Sequence, residues 1–247
     1  MDRQRLAAVV AVLASVLATG MSIEPKAASP VTAEHPDPRV LPADAIVEGV
    51  SFGGWTARWW QWAFAQPIAP YLDPDGRLCS DGQDGPVWFL AGTNGEFAAH
   101  RECIMPAGKF LLVPVINMIY MNRLAGHDPT RTSPCADLQA RAAVNNDHLV
   151  SAVVIIDGVL VKDVTRYRVR SDGCFPVEPD VAEASVQSAA ADGYWLLLKP
   201  LPPGRHTISI GANYGAADNS YGHMLQDFEY VLDVGGRNYL VMQGDRP

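Results

Sequence analysis

The 247-residue chain has little that would carry it across a membrane, bind it to nucleic acid or mark it as a common hydrolase. Its longest apolar run, Leu6–Ala18, is thirteen residues with only Ser15 polar, against the roughly 20 needed to cross a bilayer core of about 30 Å. Positive charge is in short supply: 19 Lys and Arg stand against 27 Asp and Glu, for a net charge of -8. With no basic block, DNA and RNA are excluded as partners, because such binding needs a cationic surface. There are four cysteines, widely spaced and without a C-x-x-C pair, so a zinc or thioredoxin-like site is not expected. H-E-x-x-H, S-x-x-K and H-x-H are missing, and Gly108-Lys109 lacks the upstream glycine and following hydroxyl residue of a phosphate loop. No internal repeat or low-complexity tract is present, and 48% hydrophobic with 19% charged residues is an ordinary globular composition.

What is present begins with an address. Asp2, Arg3 and Arg5 precede the short apolar run, and the small residues Ala18-Thr19-Gly20 follow it. A basic head, a short apolar core and small residues predict a secretory signal peptide over residues 1–20. The protein is therefore expected to be exported, to a periplasmic or extracellular location, with no transmembrane segment in the mature chain. In an oxidising compartment an even cysteine count implies disulfides. Cys79 and Cys103 bracket one apolar strand candidate and Cys135 and Cys174 the next block, which favours 79–103 and 135–174.

Residues 21–48 are proline-rich without apolar periodicity and are expected to form a flexible leader ahead of one domain over 49–247. From Ser51 to Gln66 apolar residues recur at helical spacing, with Trp55, Trp59 and Ala63 beside Trp60 and Phe64, and Pro67 stops the pattern. A second helix is expected after Ser133-Pro134, with Leu138, Ala142 and Asn145 on one side. The rest is strand-like: 86–91, 109–117, 149–156, 166–170, 194–199, 206–212, 228–234 and 238–242. Asp157-Gly158, Asp192-Gly193, Pro203-Gly204 and Gly235-Gly236 are expected as turns between them. Pro114 demotes 109–117 to an edge strand or marks a bulge. Many short strands and two short peripheral helices predict a mainly β protein, an antiparallel β-sandwich of immunoglobulin-like or jelly-roll-like type.

Several strings carry a resemblance: Trp55–Trp62, the GPVWFLAG of residues 85–92, Arg101-x-Cys103, the PAGK of residues 106–109 leading to Asn117, and DGYWLLLKPLPPGRHTISI over 192–210. Together they resemble a set of uncharacterised exported bacterial proteins, over roughly residues 50–234. The resemblance implies export and domain limits and no particular activity. The Pro-Gly-x-His-Thr element also resembles the turn and strand near the end of many immunoglobulin-like sandwiches.

For function, the tryptophan cluster is the leading feature. Trp55, Trp59, Trp60 and Trp62 point around more than one helix face, so part of the cluster is expected to be exposed, Trp62 above all. Exposed aromatic faces stack on sugars or partner proteins. These four and Asn117 are the candidate ligand-binding residues. Asp73, Asp75, Asp81 and Asp84 form an acidic Gly-rich loop with a fragment of a calcium-site pattern, but Arg77 occupies its third position, and no metal or other cofactor is indicated. If an acid/base site exists it is expected at Asp192 and His206 beside Tyr194, with Arg168 as an anion clamp. The leading expectation is an exported, non-catalytic binding or surface module that recognises a glycan or envelope partner through a Trp-rich edge. The alternatives are a structural envelope component, or a hydrolase or lyase acting on an extracellular polymer.

Overall fold

A computed structural model describes residues 36–122, 133–177, 188–215 and 222–236. Strands β1 (Ile46–Val47) and β2 (Val50–Ser51) form a small hairpin ahead of helix α1 (Phe52–Ala65). Strands β3 (Val87–Phe89), β4 (Ala99–Met105) and β5 (Phe110–Met121) precede helix α2 (Cys135–Ala143). Then come β6 (Leu149–Ile156), β7 (Val159–Leu160), β8 (Arg168–Arg170), β9 (Phe175–Pro176), β10 (Ser188–Leu198), β11 (Gly204–Gly215) and β12 (His223–Val234).

Two five-stranded sheets result. The first runs β3-β5-β10-β8, with β9 also on β10; the second runs β4-β12-β11-β6-β7. They share one core, in which Leu111, Val113 and Leu196 meet Ile208, Phe228 and Leu232, so the expected β-sandwich is the observed fold. Antiparallel pairing dominates, but β3 joins β5 and β4 joins β12 in parallel.

The sequence texture follows from what each sheet faces. The second sheet is open to solvent on its outer side, and β4 and β12 accordingly alternate buried and exposed residues. The first sheet is covered twice. Its inner face meets the second sheet, and Leu112, Trp195 and Leu197 on its outer face pack under α1. That is why β5 and β10 carry apolar runs without alternation, Phe110–Ile116 and Tyr194–Leu198, and it makes α1 a third layer. Ser51 caps α1 by accepting the Gly54 N–H at 2.9 Å, and extended Gln66 before Pro67 ends it.

Both expected disulfides are formed, with Cα separations of 5.9 Å for Cys79–Cys103 and 5.6 Å for Cys135–Cys174. A bridge of this kind contributes about 2–4 kcal/mol. The Asp157-Gly158 turn is as expected, with both residues at positive φ between β6 and β7.

Two expectations need correction, and one strand was missed. Asp192-Gly193 is not a turn but lies in the middle of β10, opposite Met118 and Asn117 of β5. Residues 166–167 belong to a short 3-10 turn, and the strand starts at Arg168. Strand β4 was not expected at all, because a buried Arg101 breaks its apolar alternation. The expected strand at 238–242 lies outside the described residues.

The leader is also shorter than expected. Leu41 donates its N–H to Leu197 O at 2.8 Å, Lys199 donates to Arg39 O at 2.9 Å, and Val40 is buried opposite Leu198. The Arg39 guanidinium donates to Ile156 O at 2.9 Å and pairs with Asp37 at 2.7 Å. A proline-rich segment without periodicity can still be held when its backbone extends a strand end.

The side-chain hydrogen bond from Arg39 holds the Asp37 carboxyl below its ordinary value of 3.8, against the opposing effect of burial. The folded state therefore binds fewer protons than the unfolded chain in acid. The pair's contribution is full above the unfolded pKa and is lost as pH falls through the folded one. Asp37→Asn should flatten the acid limb of stability as pH falls through and below the ordinary 3.8, read by urea unfolding at each pH. An unchanged limb would show that Arg39 does not stabilise through this carboxylate.

Candidate functional site

The site arises from a mismatch in strand length. Strand β3 has three residues and β5 has twelve, so the first sheet loses its edge strand after the first three residues of β5. Leu90 makes the last rung, its N–H donating to Leu112 O at 3.0 Å. The chain then leaves β5 and is carried by side chains of β12. Ala91 N–H donates to the Tyr230 hydroxyl at 3.0 Å, and Thr93 N–H donates to Gln226 Oε1 at 2.8 Å. Gln226 Nε2 returns a bond to Thr93 O at 2.9 Å, so one side-chain amide stands in for a neighbouring strand. Arg101, 2% exposed, donates from Nη1 to Ala91 O and the Tyr230 hydroxyl, and from Nε to Asp73 O. Burial pushes the Tyr230 hydroxyl pKa above its ordinary 10.0.

Within β5 a bulge re-aims the strand. Tyr194 pairs with Ile116 and Trp195 with Pro114, leaving Val115 as an extra residue on β5. Before the bulge the even-numbered Phe110 and Leu112 face α1; beyond it Ile119 and Met121 do. Pro114, which has no N–H to offer, sits at this irregularity, as its sequence position suggested.

Between α1, the far half of β5, the Gly92–Asn94 turn and the start of β12 lies a pocket of about 380 Å³. Trp59, Trp60, Phe64 and Tyr71 form one wall, and Asn117, Met118, Ile119 and Met121 another. Thr93, Met224 and Gln226 close the third side. No Asp, Glu, Lys, Arg or His is among these lining residues. The aromatic wall is fixed in place. Trp59 Nε1 donates to Leu90 O at 2.7 Å, the Trp60 ring meets Trp59 edge-on at 4.9 Å, and Phe64 stacks on Trp60 at 5.8 Å. Tyr71 lies 6.4 Å from Trp60, and burial raises its hydroxyl pKa above the ordinary 10.0.

Of the expected ligand-binding residues, Trp59, Trp60 and Asn117 come together here, across 50 to 60 residues of sequence. Trp55 and Trp62 do not. Trp55 lies under the β1–β2 hairpin, donating to Val47 O at 3.2 Å, with the Arg58 guanidinium 4.7 Å from its ring. Trp62, expected to be the most exposed, is 6% exposed and donates to Asp81 O at 2.8 Å. The loop between Pro67 and Pro86 folds back over that side of the helix and is tied to β4 by Cys79–Cys103. A helix covered on several sides can bury aromatics on several faces.

The expected acid/base set does not assemble. Asp192 is fully buried, and its two oxygens accept from Arg168 at 2.9 Å and Arg170 at 2.7 Å. Arg168 also pairs with Asp147 at 2.7 Å, which makes it a structural pin and not an anion clamp. Tyr194 donates its hydroxyl to Asn146 O at 3.3 Å. His206 lies in the other sheet, with Asp157 at 2.9 Å and Pro202 O at 2.8 Å. One spacing was overlooked: Gly49-Val50-Ser51-Phe52-Gly53 matches G-x-S-x-G between a strand and a helix. Ser51 has ordinary extended geometry at φ -64°, caps α1 and bonds Asp172, and no histidine bonds it among the described contacts.

The acidic loop is internally satisfied. The Asp73 carboxylate accepts N–H bonds from Asp75, Gly76 and Leu78; Asp75 pairs with Arg77, and Asp84 accepts from Gly85. Asp81 contributes its backbone carbonyl to Trp62. Among the described residues no three His, Cys, Asp or Glu side chains are grouped to hold a metal ion.

Sequence reasoning missed Phe64, Tyr71, Met118, Ile119, Met121 and Met224 as pocket residues. Gln226 did leave a signal, being polar at a position whose alternation with Phe228, Tyr230 and Leu232 points inward. Comparison with protein-family models, curated proteins and solved structures returns no match, so the likeness described above rests on its sequence elements alone.

Gln226→Leu tests how the pocket is built. It leaves the Thr93 N–H and carbonyl without partners and should cost about 1–3 kcal/mol. Urea unfolding should report that loss, and amide exchange should quicken at Thr93 first. Equal stability with unchanged exchange would mean that the turn is held by other contacts.

Proposed function

We propose that the protein is an exported binding module that receives a neutral, largely apolar group in the pocket between α1, β5 and β12. The observation that carries this reading is the wall itself: aromatic rings and methionines, held by indole and amide hydrogen bonds, with a few uncharged polar groups. Pockets of about 300–1,000 Å³ with that make-up are the usual form of small-ligand sites. Methionine side chains adapt to differently shaped apolar partners, which suits recognition of a class over a single compound. Tyr71 is the one titratable side chain in the wall, and its raised pKa keeps it neutral. Binding therefore fits this site better than acid–base turnover. Export is supported by the signal-like N-terminus, by the resemblance to exported bacterial proteins and by two disulfides of the kind that persist in oxidising compartments. A glycan is the weaker candidate ligand, because sugar rings stack on open aromatic faces and Trp59 and Trp60 are more than nine-tenths buried.

The environment-sensitive probe N-phenyl-1-naphthylamine should fluoresce more strongly when added to the protein, with saturation. Met224→Trp, which fills the pocket from β12, should weaken that binding roughly tenfold or more, about 1.4 kcal/mol. The thermal melt of the variant, measured alongside, separates occlusion from unfolding. No fluorescence rise with the folded wild-type protein would overturn the reading.

A further inference from the structure

The pocket runs along a sheet edge, and the edge points to what occupies it. Asn122 donates its N–H to Ser188 O at 3.1 Å, which makes Asn122–Ser188 a hydrogen-bonded pair of the β5–β10 ladder. Antiparallel ladders alternate, so Tyr120–Ala190 and Met118–Asp192 are hydrogen-bonded pairs as well. Asn117, Ile119 and Met121 fall in the intervening pairs, with their N–H and C=O groups directed away from β10. The neighbouring strand agrees: Ala191, opposite Ile119, gives its carbonyl to Ser171 N–H at 2.9 Å, on the side away from β5.

On the other side of β5, partners end early. Strand β3 pairs with Phe110, Leu111 and Leu112, and the Leu90 rung is the last; among the described residues no strand pairs with β5 beyond it on that side. Asn117, Ile119 and Met121 therefore present three N–H and three C=O groups, at a repeat of about 6.8 Å, along the pocket they also line. Residues of β5 that face α1 direct their backbone toward the β3 side, as Phe110 and Leu112 do in pairing with β3, and the Val115 bulge moves that role to Asn117, Ile119 and Met121 where the edge is open.

We infer that the occupant is an extended polypeptide segment of a partner protein, added to β5 as a strand in line with β3, with an uncharged apolar side chain in the pocket. This rests on the pocket being the binding site and goes further in naming the partner's chemistry. A lipid or small aromatic compound fills an apolar pocket but offers no alternating donors and acceptors at the strand repeat. A peptide backbone offers both, and its alternate side chains fall on the pocket side. The uncharged wall selects against acidic and basic residues there, since a charge buried without a partner is costly. The edge also lacks the blunting that natural sheets use: beyond Pro114 it carries no proline, no lysine and no covering strand among the described residues.

The test uses the intact protein and acetylated, amidated peptides that alternate threonine with valine, leucine, phenylalanine or methionine. At least one series should displace N-phenyl-1-naphthylamine. On binding, the amides of Asn117, Ile119 and Met121 should become protected from exchange by tenfold or more, while those of Met118 and Tyr120, already bonded to β10, should not change. The same peptide N-methylated at alternate residues should bind in one phase of methylation and fail in the other, because only one set of its N–H groups faces β5. Three results overturn the inference: the probe binds but no peptide displaces it, displacement occurs without protection of those three amides, or both methylation phases bind equally. The first would leave the apolar pocket standing with a small-molecule ligand. Failure of the probe and the peptides alike would remove the pocket reading itself.

Discussion

The Arg101 guanidinium joins the loop that follows α1, the segment that leaves β3, and the inner face of β12, through Asp73 O, Ala91 O and the Tyr230 hydroxyl. Burying a cation costs several kcal/mol, and here carbonyl acceptors and the Tyr230 ring, 5.3 Å away, offset that cost without a carboxylate partner. The geometry leaves little freedom. A Cβ at Gly76 would come within 2.5 Å of Glu102 O, so the loop crosses β4 at backbone contact, and the Cys79–Cys103 bridge closes beside it. With that crossing fixed, the loop covers Trp62, the helix seats Trp59 under Leu90 O, and the gap beyond β3 keeps its shape. The pocket is thus a consequence of a polar anchor, although its own wall is apolar.

The sandwich was legible in the sequence because its two sheets use different rules and each leaves a pattern. Alternation in β12 and apolar runs without alternation in β5 and in the second half of β10 both announce strands, and the second also announces burial on two faces. Helix α1 was legible from its spacing and from Ser51 and Pro67 at its ends. Failures came where one residue had two meanings. Asp192-Gly193 has the composition of a turn, yet the glycine is there because a Cβ would collide with the Asn117 Cβ at 2.3 Å, and the aspartate because two arginines meet it. Arg101 broke the alternation of β4 because a buried arginine looks like an outward residue until its acceptors are known.

The site was half legible. Trp59, Trp60 and Asn117, singled out as members of an aromatic cluster and as an amide closing an apolar run, do line one pocket, though the two indoles are buried and not exposed as expected. Trp55 and Trp62 were singled out with them because counting helix faces takes no account of a loop folding back as a cover. What no spacing rule provides is the absence of a strand. The pocket depends on β3 stopping after three residues while β5 continues, and on one extra residue, Val115, setting which side chains face α1.

The two disulfides join neighbours in the chain, Cys79 to Cys103 and Cys135 to Cys174, and their loops neither cross nor nest. Whenever the chain is presented to an oxidant from its N-terminal end, the first two thiols to arrive are a native pair, and so are the next two. Oxidation in order of emergence gives the correct connectivity, and the two alternative pairings each need a thiol to wait for a later one. For this topology, assembly calls for an oxidant at the point of entry more than for an isomerase afterwards.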